Sequence, residues 1–210
     1  MHSVIIVDDH PAIRLAVQSA LEATNDLKVV GESGDGPSGL ALVRELKPDL
    51  VILDLDLPRL SGLDLIERVK KSHPATRLLV LSAQQESIFA SRTAHAGANG
   101  FMSKHENMQA VVLAAQTVLS GYNMFPSSVN SAHARPKTGT QPDALLKSLS
   151  DRELTVLQYL ARGMSNKEIA ETLLISNKTI SSYKTRIFEK LGISTVVELV
   201  DFTRAHNLTA

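Results

Sequence analysis

The chain has 210 residues, with 22 Lys and Arg balancing 22 Asp and Glu, 43% hydrophobic residues and no cysteine. That length suits two small domains with a core each, and the near-average composition excludes a disordered or fibrous chain, while the missing cysteine excludes disulfides, thiol nucleophiles and thiolate metal sites. The apolar run Val4 to Val7 is too short and lacks the basic flank of a signal segment, and no run approaches the roughly 18 residues of a membrane span, so a cytoplasmic protein without membrane contact is expected.

Residues 1–120 alternate short β-branched or Leu-rich runs with amphipathic stretches of helical length, the pattern of an α/β sheet with crossover helices. The spacing predicts strands over Ser3–Val7, Lys28–Ser33, Leu50–Leu53, Arg77–Leu81 and Gly100–Met102. It predicts helices over Pro11–Ala23, Gly36–Leu46, Ser61–Lys71, Ser87–Ala96 and Asn107–Leu119, with Pro11 and Ser61 as start signals. Four of the strands are too apolar for a solvated face, so a doubly wound, five-stranded parallel sheet is expected. Residues 121–144, rich in Pro, Ser, Gly and Thr, read as a linker. Residues 145–210 carry helical patterns only and are expected to form a small all-α domain.

In parallel α/β sheets ligands lie beyond the carboxyl ends of the strands, and here those positions form one chemical set. Asp8 and Asp9 follow the first strand, Asp54 the third, Ser82 the fourth, and Lys104 stands two residues beyond the fifth. Carboxylates crowded together repel unless a hard cation neutralises them, which points to Mg²⁺; a lysine and a hydroxyl suit phosphoryl oxygens. The set fits phosphoryl transfer onto a carboxylate. His10, His73 and His95 have no ligand spacing with further His or Cys, so a zinc site is not indicated.

Asp54 followed by Pro58 and Gly62, and Phe101 three residues before Lys104, resemble the receiver domain of response regulators, a flavodoxin-like fold, over essentially all of residues 1–120. That resemblance implies that Asp54 is the phosphoacceptor, that Asp9, Asp54 and the backbone carbonyl of Asp56 hold Mg²⁺, and that Asp8 acts in the metal shell. It implies that Lys104 pairs with the phosphoryl group, Ser82 is the switch hydroxyl and Phe101 the switch aromatic. Asp54-Leu55-Asp56 also looks like the D-x-D of haloacid-dehalogenase-type phosphatases, but Pro58 stands where that family has Thr or Val.

In the last 64 residues, Ser150 or Asp151 caps a helix in which Leu154, Leu157 and Leu160 recur, and Gly163 ends it. Ser165 and Glu168 form a capping box for the next helix, and Ser176-Asn177 start a third, reaching about Leu191, with Ile180, Tyr183, Ile187 and Leu191 on one face. Residues 1–120 hold 11 Lys and Arg against 14 Asp and Glu, whereas residues 147–210 hold 9 against 7. The basic excess gathers on the third helix as Lys178, Lys184, Arg186 and Lys190. Its outer face offers Lys178, Thr179, Ser181, Ser182 and Thr185 to base edges, with Lys184 and Arg186 toward phosphates.

Leu149 to Leu191 resembles the LuxR-type helix-turn-helix through Arg152-Glu153, Val156-Leu157, the run Gly163 to Ala170, Thr179-Ile180 and Lys190-Leu191-Gly192. Together the two resemblances point to the NarL/FixJ response regulators, with Ser176 to Arg186 most like the BvgA/EvgA branch, although Tyr183 replaces the commoner His. A last helix over Thr195–His206, with Val196, Val197, Leu199, Val200 and Phe202, would by resemblance pair two DNA-binding domains; packing into the core is the other role open to it. The resemblance implies a regulator rather than an enzyme: a sensor histidine kinase phosphorylates Asp54, the protein acts as a homodimer on promoter DNA, and RNA polymerase is a further partner. A DNA-binding protein indifferent to phosphorylation and a phosphatase are the competing readings.

Overall fold

The computed structural model describes residues 1–126, 141–206 and 208, and the chain divides into two compact units, Met1–Ala132 and His133–Ala210. Of the linker expected over 121–144, residues 127–140 lie outside the described residues.

In the first unit, β1 (His2–Val7), β2 (Leu27–Ser33), β3 (Leu50–Leu53), β4 (Arg77–Ser82) and β5 (Gly100–Ser103) form one parallel sheet in the order β2-β1-β3-β4-β5. Parallel neighbours need crossovers, supplied by α1 (Pro11–Glu22), α2 (Gly36–Leu46), α3 (Gly62–Ser72), α4 (Glu86–Ala96) and α5 (Met108–Leu119). Because side chains alternate across a strand, Val4, Ile6, Leu50, Ile52, Leu79 and Leu81 bury against Val17 and Leu21 of α1 and Val111, Ala114 and Val118 of α5. The other face packs on α2, α3 and α4: Val7 lies so close to Gly39 of α2 that a Cβ there would stand 2.8 Å from its methyl carbon. The order reverses between β1 and β3, so the loops after these two strands part to opposite faces and leave a crevice at their carboxyl ends.

Beyond α5 the chain returns to the sheet. Met124 bridges Gly100 in parallel fashion, Phe101 N donates to the Met124 carbonyl at 2.9 Å, and Met124 N donates to the Asn99 carbonyl at 2.8 Å. Local periodicity carries no sign of this pairing, because it satisfies the free edge of β5 rather than extending a pattern of its own.

The second unit holds α6 (Gln141–Ser148), α7 (Asp151–Ala161), α8 (Asn166–Leu173), α9 (Asn177–Leu191) and α10 (Val196–Ala205). α6 starts inside the stretch read as linker. Ser150 and Ser165 each make a complete capping box, with Glu153 and Glu168, and Ser176 and Thr195 cap the last two helices. Leu154, Leu157, Ile169, Leu173, Ile180, Ile187, Leu191 and Leu199 build the core, whereas Tyr183 is only half-buried. α10 divides between its two expected roles: Leu199 is fully buried, Val200 and Phe202 are half-buried, and Val197 is 71% exposed.

Gly62 at the start of α3 has no room for a side chain. A Cβ would fall 2.3 Å from the carbonyl oxygen of Asp54 and 2.6 Å from Leu55 Cα, and both neighbours are backbone that cannot swing away. Gly62→Ala is therefore expected to destabilise the first unit by about 1–3 kcal/mol, as forced overpacking does. A denaturant midpoint equal to that of the unaltered protein would show that the loop after β3 yields without cost.

Candidate functional site

Three strand ends meet in the crevice. The ladder continues past the strands, with Asp8 N donating to the Ser33 carbonyl at 3.0 Å, Asp54 N to Val7 at 2.9 Å and Lys104 N to Ser82 at 2.9 Å, so the loops bearing the polar residues are fixed to their neighbours. Arg14 of α1 adds a bond from Nη1 to the Asp8 carbonyl at 2.7 Å.

Asp8 and Asp54 are each 3% exposed, and Lys104 reaches between them, its Nζ 2.7 Å from Asp8 Oδ2 and 2.8 Å from Asp54 Oδ2. Burial by itself lowers the lysine pKa, but the charge of Asp54 and the hydrogen bonds to Asp54 and Asp8 outweigh it and hold the group above its ordinary value. Asp54 Oδ1 accepts from Leu55 N at 2.6 Å. Asp9 is more open and meets His10, whose Nδ1 lies 2.6 Å from Asp9 Oδ1 and 3.3 Å from Asp8 Oδ1. Asp8, Asp9, His10 and Asp54 each bring one ligand atom within 4.8 Å of the others, a set able to hold a cation.

Ser82 is fully buried at the end of β4, where its Oγ accepts from Gln84 N at 3.3 Å. Phe101 is 3% exposed in the middle of β5. The carboxylate of Asp56 is not among the grouped ligand atoms of Asp8, Asp9, His10 and Asp54 and accepts from Gln84 Nε2 at 2.5 Å. Sequence reasoning missed Gln84, whose Oε1 is buried without a hydrogen-bond partner. His10 has no further His or Cys at ligand spacing in the sequence, and the structure sets its ring beside the two adjacent aspartates.

On α9 the expected outer residues are exposed at Lys178, Ser181, Ser182, Thr185 and Arg186, and partly covered at Thr179 and Lys184. Lys178, Thr179, Ser182, Tyr183 and Arg186 line a surface cleft with Ser176. The hydroxyls of Ser181, Ser182 and Thr185 donate back to carbonyls one turn earlier, each at 3.1 Å, which leaves their lone pairs facing outward. Ser181 also accepts from Asn166 Nδ2 at 3.2 Å, tying α9 to α8. Lys184 Nζ lies 5.4 Å from the Phe188 ring centroid, a cation–π distance. Lys190, counted among the basic residues of this helix, is taken up inside the unit: its Nζ donates to Glu153 Oε2 at 2.6 Å and to the Ser148 carbonyl at 3.1 Å.

Among the described residues no helix is long and apolar enough to cross a membrane. The family profile described as "Response regulator receiver domain" matches residues 4–116, and "Bacterial regulatory proteins, luxR family" matches residues 147–203. The chain is 44% identical over 207 residues to the virulence-factor transcription regulator BvgA of Bordetella pertussis, covering 99% of each protein. It is 36% identical over 204 residues to the DNA-binding transcriptional activator EvgA of Escherichia coli, covering 97% of this chain and 98% of that one. Among solved structures, RcsB of Salmonella enterica serovar Typhimurium, bound to promoter rprA in the presence of the phosphomimetic BeF3⁻, superposes with a TM-score of 0.75 at 27% identity, covering 98% of this chain and 100% of that one.

The Glu153–Lys190 pair makes the second unit sensitive to acid. Burial raises the Glu153 pKa, but the bond from Lys190, the bonds from Ser150 and the lysine charge together hold it below the ordinary value of 4.5. A carboxylate whose pKa is lower folded than unfolded adds stability above its unfolded value and loses it as pH falls through the folded one. Acidification below about 4.5 should thus erode the stability of the second unit. Glu153→Gln should flatten that part of the profile and cost about 0.5–1.5 kcal/mol near neutrality, since the amide oxygen can still accept from Lys190 and only the charge attraction, screened at a lysine 38% exposed, is lost. Thermal melts across an acid pH series test this, and parallel profiles for the two proteins would refute it.

Proposed function

The chain belongs to the NarL/FixJ response regulators, transcriptional regulators of two-component systems with a receiver ahead of a LuxR-type DNA-binding domain, and on that premise we propose that phosphorylation of Asp54 by a sensor histidine kinase controls its binding to promoter DNA. One observation carries the assignment of Asp54: this buried carboxylate shares the Lys104 ammonium with Asp8 beside the open Asp9. A carboxylate oxygen of Asp54 attacks the phosphorus of the kinase's phosphohistidine; the new P–O bond forms as the N–P bond breaks, and the imidazole nitrogen keeps the electron pair.

Three crowded carboxylates with a single lysine among them are hard oxygen donors in excess of their positive charge, which fits a divalent cation. Asp9, Asp54 and the Asp56 carbonyl would hold Mg²⁺, with Asp8 in its shell; when bound, the ion neutralises the oxygens as charge passes to Asp54. Lys104 stays in contact with Asp54 and receives a phosphoryl oxygen. The Ser82 hydroxyl, now an acceptor from Gln84 N, has its own hydrogen free to donate to another. Phe101, buried on the strand that leads to Lys104, is the aromatic whose packing would change with it. The chain's own chemistry is confined to gaining and losing this group.

The phosphorylated protein acts in the cytoplasm as a homodimer that sets two copies of α9 on neighbouring half-sites. Exposed Val197 on α10 supports pairing of DNA-binding domains, and the bound dimer offers a surface to RNA polymerase. Lys178, Thr179, Ser182 and Thr185 read bases, Lys184 and Arg186 grip phosphates, and Ser181 both faces the groove and fixes α9 to α8.

Incubation with a small phosphodonor and Mg²⁺ should give stoichiometric, acid-labile labelling and tighter promoter binding, and Asp54→Asn should abolish both while the protein stays folded. Full labelling of the Asn variant would exclude Asp54, and labelling without any change in DNA affinity would favour a regulator indifferent to phosphorylation.

For α9, Lys184→Ala and Arg186→Ala should weaken matched and scrambled DNA alike and reduce the slope of log affinity against log salt by about one per lost contact. Thr185→Leu should instead alter sequence preference with little effect on melting. An unchanged preference removes Thr185 from the base-reading set.

A further inference from the structure

The oxygens of the cluster face two different nitrogen groups. Lys104 takes Oδ2 of Asp8 and Oδ2 of Asp54, whereas Oδ1 of Asp8 and Oδ1 of Asp9 turn toward a single ring nitrogen, His10 Nδ1. The imidazole therefore stands on the side of the carboxylates that the lysine leaves open. It belongs with Asp8, Asp9 and Asp54 to a group of ligand atoms mutually within 4.8 Å. Its presence there is dictated locally: His10 is the N-cap of α1, extended at φ −90° and ψ 107°, with Pro11 fixing the first helical residue, and its own N–H bonds Asp8 Oδ1 at 2.9 Å. The side chain makes no capping bond. It contributes nothing to the helix start that another residue would not, and its ring is left facing the acidic oxygens.

We propose that His10 is a metal ligand, contributing Nδ1 to a mixed nitrogen and oxygen site that takes first-row transition ions such as Mn²⁺ and Co²⁺ in preference to Mg²⁺. The inference rests on the metal site proposed above and deepens it. Magnesium is indifferent or averse to imidazole, while the later divalent ions gain progressively from a nitrogen donor, so one histidine among carboxylates shifts selectivity rather than creating affinity. Ligation replaces the contact of the ring with Asp9: the hydrogen that Nδ1 shares with Asp9 Oδ1 is given up, the neutral ring keeps its hydrogen on Nε2, and the nitrogen lone pair so freed turns toward the ion together with Asp9 Oδ1. His10 is 64% exposed at its side chain, so water and ions reach it freely.

The test uses the full chain and measures Mn²⁺ binding from the free-ion resonance signal, with Mg²⁺ affinity obtained by competition. His10→Gln and His10→Ala should weaken Mn²⁺ and Co²⁺ by about tenfold or more, the scale on which coordination partners act, and should leave Mg²⁺ within twofold. Pulsed resonance on the Mn²⁺-loaded protein should detect a coupled imidazole nitrogen that disappears in both variants. Equal loss of Mg²⁺ and Mn²⁺, or no loss of either, would overturn the proposal by making His10 a counter-charge or a bystander. Unaltered Mg²⁺-dependent labelling of Asp54 alongside such a result would sink the histidine ligand while sparing the phosphoacceptor; failure of labelling with every metal would sink the phosphoacceptor reading itself.

Discussion

Two buried carboxylates share one ammonium, and the receiver unit is arranged around that imbalance. Asp8 and Asp54 would each be costly to keep charged at 3% exposure, and the lysine between them offsets only one of the two charges. The remainder is tolerated because the groups are held by backbone that cannot relax away from them: sheet-ladder bonds past the ends of β1, β3 and β5, the Arg14 bond to the Asp8 carbonyl, and the close seat of Gly62 against the Asp54 carbonyl. A site with surplus negative charge on a rigid frame attracts cations and responds to any group that changes its charge. That is the electrostatic condition for a switch, and it is set by the fold before any ligand arrives.

The second unit uses the same physics for a different end. Glu153 is also a buried carboxylate, but its charge is matched by Lys190, and its oxygens are further bonded by Ser150, whose backbone N–H completes the capping box. The pair joins α7 to the end of α9 and so fixes the direction of the helix that carries the exposed polar face. Cations on α9 thereby fall into two groups. Lys190 is consumed in holding the helix in place, while Lys178 and Arg186 stay on the surface and Lys184 lies along Phe188. The charge of a helix measures its attraction for DNA only after such internal pairs have been subtracted.

β5 connects features that are far apart in the chain. Its carboxyl end leads directly to Lys104, and its amino end is paired with Met124, beyond α5. Asn99, just before the strand, ties the same region to β4 and α3: its Oδ1 accepts from Leu78 N and from Lys70 Nζ, and its Nδ2 donates to Asn123. The strand that supplies the lysine is thus also the one on which the segment after α5 is seated, through backbone bonds on both sides of Gly100.

The sequence by itself determined the five β–α units, the helix caps, the two-domain order and the placement of Asp8, Asp9, Asp54, Ser82 and Lys104 at strand ends, because each follows from local periodicity and from the rule that parallel strands are linked by crossovers. It determined the outward face of α9 for the same reason, since helical spacing separates Ile180 and Ile187 from Ser182 and Thr185 without knowledge of anything else. Only the tertiary structure decided which of these polar groups meet. Lys104 lies 50 residues from Asp54, Lys190 37 residues from Glu153, and Gln84 28 residues from Asp56. Nothing in the spacing of such residues fixes the rotamers that bring one ammonium between two carboxylates, turn Asp56 away to an amide, or spend Lys190 inside the fold. The pairing of Met124 with β5 was hidden for a related reason: it depends on backbone bonds to a strand elsewhere in the chain and not on any periodicity of its own.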